Sequence, residues 1–172
     1  CSPNLMNDFN NLSKSTNSIT KTSTMLDEDI YWQIVEESLP HVETQEEQRQ
    51  MLIKRIERLT PEEIVGFRLR TDQLLYDTYT SEMACADKIL NGYCSDDNFE
   101  YFRNWVISRG KSVYYAAKEN PDTLVSQVGE VWDFYEFELF WYVALDAFSN
   151  KTGQDLYDYI DEDNFHYTES KY

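Results

Sequence analysis

Glycine is scarce in this chain, with five among 172 residues. That is too few for the many tight turns of a β-sandwich or barrel, and strand-like alternation is weak throughout. Basic residues are also few: 15 Lys and Arg stand against 32 Asp and Glu, for a formal charge of −17. Such a surface repels a phosphate backbone, which argues against nucleic acid as a partner, and attracts a basic protein. Of the two histidines, His41 falls in a helix connection and His166 near the end. Neither supports a histidine-based metal centre or a catalytic triad. Three cysteines are too few for a disulfide framework and lack zinc-like spacing. Cys85 and Cys94 are expected to be small buried hydrophobes. The longest clean apolar run, "LFWYVAL" at 139–145, is far short of a membrane span. There is no phosphate-binding loop, dinucleotide turn or nucleophile elbow. The acidic run "DEDNFHYTE" lacks the central glycine of a calcium loop. No catalytic residue, metal or cofactor is assigned.

What is present is a large stock of burial. Hydrophobic residues make up 41% and aromatics 15%. A single domain of this length buries roughly 70% of its unfolded surface without a staple. Composition divides the chain into a Ser/Thr/Asn-rich leader at 1–26, a helical body at 27–153 and an acidic-aromatic tail at 154–172. Asp8, Lys14 and Lys21 leave the leader at +1 and the remainder at −18. A leader of this kind beginning at Cys1 reads as a lipid tether. Cys1 is then the attachment point of a bacterial envelope protein, whose contact with the membrane is through the lipid alone. The alternative is a cytoplasmic protein.

The body reads as all-α, a compact domain of six to seven helices. "DEDIYWQIVEESLP" opens on acids and stops before Pro40. Thr44 with Glu47, and Thr60 with Glu63, have the spacing of capping boxes, and Pro61 takes the first helical position. Leu52, Ile56 and Leu59, then Ile64, Phe67, Leu74 and Leu75, form apolar stripes. Asn91-Gly92 marks a left-handed helix end. "KSVYYAAKENPDTL" is a short helix broken at Asn120-Pro121. Residues 129–153, apolar nearly all round, are predicted to form one long central helix ended by Gly153.

The densest stretch is "LNGYCSDDNFEYFRNW", residues 90–105. Ser95 has the position of an N-cap, with Asp96 and Asp97 in the first turn, where the helix dipole favours carboxylates. Phe99, Phe102 and Val106 recur at helical spacing, with Trp105 beside them, and Glu100 can pair with Arg103. With its continuation to Leu124, this stretch resembles the signature of a bacterial family of unknown function, DUF4240. That family pairs a Gly-Gly-Cys-Ser-Asp-Asp turn with Tyr-Phe-Arg, Trp-Leu-Ile and Pro-Asp-Ser/Thr-Leu. Gly92, Cys94, Ser95, Asp96, Asp97, Phe99, Tyr101, Phe102, Arg103, Trp105, Ile107, Gly110, Pro121, Asp122 and Leu124 fit. Tyr93 replaces the second glycine, and Arg109 stands where glutamine is usual. The resemblance covers roughly 27–150 and implies a helical domain, with no activity to carry over.

Two functions follow as expectations. The first is a non-catalytic interaction module, such as an immunity-type inhibitor or an envelope accessory lipoprotein, whose acidic face binds a basic protein. The tail aromatics Tyr157, Tyr159, Phe165 and Tyr167 would be its anchors, on a segment that is mobile or loosely docked until the partner arrives. The second is an enzyme or ligand-binding protein in which Asp96, Asp97 and Glu100 form a carboxylate or metal site and Arg103 orients the ligand.

Overall fold

The computed structural model describes residues 18–129 and 134–169. It contains seven α-helices among those residues: α1 (Glu28–Glu37), α2 (Gln45–Ile56), α3 (Pro61–Asp77), α4 (Ser81–Asn91), α5 (Asp96–Ser108), α6 (Lys111–Glu119) and α7 (Val143–Thr152). Three 3-10 segments connect or follow them, at Pro121–Gln127, Glu138–Tyr142 and Leu156–Tyr159. No strand forms among the described residues, and no helix there is long and apolar enough to cross a membrane. Cys1 and most of the leader lie outside the described residues.

Local chemistry sets the helix ends. Thr60 accepts from the Glu63 N–H while the Glu63 carboxylate takes the Thr60 N–H, closing a full capping box before Pro61. Thr44 accepts from the Glu47 N–H, but the Glu47 carboxylate reaches one residue further back, to the N–H of Glu43. Gly92 and Gly153 close α4 and α7 with φ of 83° and 69°, a left-handed conformation that costs glycine little.

The core is one cluster. Ala144, Ala147 and Phe148 of α7 bury against α2 and α3, alongside Leu52, Ile56, Ile64 and Phe67. Phe102 and Val106 of α5 join the same cluster. The aromatic-rich segment is thus central, as its composition implies.

The helix within it is shorter than the sequence predicts. Residues 130–133 of that stretch lie outside the described residues, 134–137 take no regular secondary structure, 138–142 form a 3-10 segment, and the α-helix begins only at Val143. The reason is competition for backbone groups. The Asn91 side chain takes the Tyr135 N–H at 2.7 Å and donates to its carbonyl at 3.2 Å. The Phe137 N–H goes to the carbonyl of Tyr101, and the Glu136 carbonyl accepts from Gln45. Groups spent on α4, α5 and α2 cannot form helical bonds to their own neighbours.

Order also begins earlier than Asp27 and ends later than Gly153. The Leu26 N–H donates to the carbonyl of Gly66 at 3.0 Å. A Cβ at Gly66 would lie 2.9 Å from both Leu26 N and Thr24 O, so glycine lets this strap cross α3. Thr22 bridges to the tail, donating to Tyr159 and accepting from Asp161. The described tail is docked rather than loose. Leu156 is fully buried, Tyr159 packs on Phe148, and Gln73 grips the Thr168 backbone through both its N–H and its carbonyl.

Candidate functional site

The signature turn folds as its spacing implies. Ser95 Oγ accepts from the Asn98 N–H at 3.2 Å, and Asp96 and Asp97 sit exposed in the first turn of α5. Phe99, Phe102, Trp105 and Val106 turn inward. Behind the turn, buried Asp87 accepts from Asn91, and Asn98 Nδ2 and the Tyr93 hydroxyl both donate to Glu136. Burial pushes the Asp87 carboxyl above its ordinary value, although its bond from Asn91 opposes this. Cys85 and Cys94 are both exposed, against the expectation of buried thiols. Each lies on the solvent side of the α4–α5 corner, whose inner side is filled by Met83 and Asp87.

Arg103 does not join Asp96 and Asp97. It lies further along α5 and is buried, donating Nε to the Phe99 carbonyl and Nη1 to the Leu75 carbonyl. Its guanidinium stacks 4.4 Å from the Phe99 ring centre and 5.1 Å from that of Tyr79. Nor does it form an ion pair with Glu100 within 4 Å. Among the described residues, no group of three or more His, Cys, Asp or Glu is placed to hold a metal ion.

What converges instead is a cleft of about 220 Å³ between α3, α5 and the end of the tail. It brings together Glu100, Arg103 and Tyr167 from the sequence-derived candidates, and adds Asp72, Tyr76, Tyr79, Leu75 and Trp141. Fully buried Arg68 backs it. Arg68 pairs with Asp72 Oδ1 at 3.2 Å, lies 3.7 Å over the Trp141 ring and donates to the Tyr157 hydroxyl at 3.1 Å. Trp141 Nε1 donates to the same Asp72 oxygen at 2.9 Å. Tyr76 and Tyr167 stack in parallel, 4.5 Å apart and 2° from coplanar in orientation. The Gln73 grip on Thr168 fixes that wall.

Burial raises the pKa of Asp72, with Arg68 pulling the other way, and burial likewise raises that of Glu100, opposed by Arg103. Both carboxylates therefore carry their charge at a cost that a cation in the cleft would relieve.

The remaining tail candidates are dispersed. Tyr157 stands half-exposed over Arg68, Tyr159 covers Phe148, and Phe165 meets Tyr167 edge-on at 5.4 Å. Sequence reasoning missed Arg68, Asp72 and Trp141. A signal existed, because Arg68, Asp72 and Tyr76 recur every four residues along α3, beside the apolar stripe that dominates its pattern.

A second, larger concavity of about 680 Å³ lies between the start of α2 and residues 134–139. Trp105, Phe134, Tyr135, Phe137 and Leu139 line its interior, and Glu43, Glu46 and Glu138 are among its exposed acids. Phe134 and Leu139 are 58% and 46% exposed, unusual for large apolar side chains.

Residues 26–150 match the model of a family described as "Protein of unknown function (DUF4240)". No curated protein and no solved structure matches the chain.

Proposed function

The chain belongs to the DUF4240 family, a membership that covers residues 26–150 without supplying an activity, and from that premise we propose that it is a non-catalytic acidic module that captures a basic protein. The observation that carries this reading is the larger groove. Exposed Phe134 and Leu139 flank a floor that includes Trp105, and Glu43, Glu46 and Glu138 surround it. An apolar centre within a charged rim is the anatomy of a protein interface. The rim and the net charge of −17 steer a basic partner and raise its association rate, while the aromatic centre limits dissociation. An immunity-type inhibitor covering a toxin's basic groove is one such module.

A photo-crosslinking residue at position 139, introduced in native cells, tests the reading. The expected product is a basic protein. Once purified, that protein should associate about tenfold more slowly with the Glu43→Gln, Glu46→Gln, Glu138→Gln triple variant at low salt. A crosslinked partner that is acidic, or an association rate indifferent to salt and to the triple variant, overturns it.

A further inference from the structure

We propose that the smaller cleft receives a primary ammonium group, presented as a lysine side chain by the basic partner. This rests on the module reading above and deepens it. The lining is rich in unspent oxygen. Asp72 Oδ1 takes both Arg68 and Trp141, but Oδ2 has no partner among the described residues. Among the described residues the Glu100 carboxylate there has neither a hydrogen bond nor an ion pair within 4 Å, and the hydroxyls of Tyr76, Tyr79 and Tyr167 likewise find no partner. An ammonium carries three donors and no acceptor, and this lining supplies what it needs.

The cations already present are largely engaged. Arg68 is held by Asp72 and Tyr157, and Arg103 turns Nε and Nη1 to backbone carbonyls. An anionic ligand would face the Asp72 and Glu100 carboxylates, against which the lining offers it Arg103 Nη2 and the tyrosine hydroxyls. A guanidinium is disfavoured for a different reason, since it gains from stacking on an aromatic face. Here the Trp141 face is covered by Arg68, that of Tyr79 is turned to Arg103, and Tyr76 and Tyr167 cover one another. A compact ammonium requires only oxygens. Size points the same way, because pockets for drug-sized ligands run from about 300 to 1,000 Å³, and this cleft is below that range at about 220 Å³.

The Trp141 indole N–H donates to Asp72 inside the cleft, so its NMR resonance reports locally on occupancy. The full chain is titrated with a blocked trilysine peptide, and separately with n-butylammonium, following that resonance. Saturable movement with trilysine is expected, and about tenfold weaker movement in Glu100→Gln. Asp97→Asn, which removes the same charge outside the cleft, should match the unaltered chain. Equal weakening in the two variants would show that net charge alone attracts the peptide, and overturns the cleft. Tighter binding of n-butylammonium than of trilysine assigns the site to a free amine and overturns a protein-borne lysine. Trilysine that binds while Trp141 stays still sinks this proposal and leaves the module reading intact. No binding of trilysine anywhere counts against both.

Discussion

Asp96 and Asp97 are neighbours in the chain, whereas Asp72 and Glu100 belong to different helices, yet the second pair shares a cleft and the first does not. Asp96 and Asp97 lie in water at a helix start, where the dipole and the Ser95 cap account for them fully. Asp72 and Glu100 are drawn into partial burial by rings from α3, residue 141 and the tail, and burial raises both their pKa values. Adjacency along the chain yields a helix signal. A candidate site arises where tertiary packing withdraws carboxylates from solvent and leaves part of their capacity unpaired.

The comparison breaks most completely if the tail is removed. Truncation after Gly153 deletes buried Leu156 and the Tyr167 wall. The expected loss is about 5 kcal/mol by urea denaturation, enough to threaten folding. A melting temperature close to that of the full chain would show that the cleft does not depend on the tail. Next in size, Arg68→Ala leaves the Asp72 carboxylate without its cation in a mostly buried setting and should cost about 3 kcal/mol. The Asp72→Asn, Arg68→Ala double variant should recover part of that loss, and a double-mutant cycle measures how much. On the exposed side of the comparison, Ser95→Ala should cost about 1 kcal/mol, and Asp97→Asn less than that, with a difference that salt screens away.

The subtlest effect is one of slope. The folded state holds the Glu100 proton to higher pH than the unfolded chain does, since burial raises its pKa above 4.5. The folded state thus binds more protons in the window just above that value, and stability must fall as pH rises through it. Glu100→Gln lacks this fall. Relative to the unaltered chain, it should gain stability from about pH 4 to about pH 7. A constant difference across that range would mean that Glu100 is as well solvated as Asp97.

The caps at Thr60 and Ser95 were legible because each is settled within four residues of chain. The stripes on α2, α3 and α5 were legible because their period is local. The break before α7 was not, because it is decided by Asn91, Tyr101 and Gln45, all distant in sequence. Composition made residues 129–153 look like one helix, but composition does not record which carbonyl an N–H will meet. The tail misled in the opposite direction. Its acids suggested a loose segment, while Leu156 and the Gln73 grip on Thr168 dock it. Of the candidate site, Glu100, Arg103 and Tyr167 were visible as chemically able residues. Their partners on α3 were hidden behind a stronger apolar pattern.

The grip of Asn91 on Tyr135 also bears on chemical ageing. An Asn-Gly sequence is prone to deamidation, because the glycine nitrogen, unhindered by a Cβ, can attack the side-chain carbonyl and close a succinimide. Asn91-Gly92 is such a pair. Its side chain is buried, with Oδ1 held by the Tyr135 N–H and Nδ2 shared between Asp87 and the Tyr135 carbonyl. Helical backbone on one side and this double engagement on the other keep the amide carbon away from the attacking nitrogen. Were the amide lost, the oxygen replacing Nδ2 would face both the Asp87 carboxylate and the Tyr135 carbonyl, an acceptor standing where a donor now serves both. The fold therefore shields the bond whose hydrolysis would undo it, and the shelf life of the native protein is tied to how seldom residues 134–137 lift away from α4.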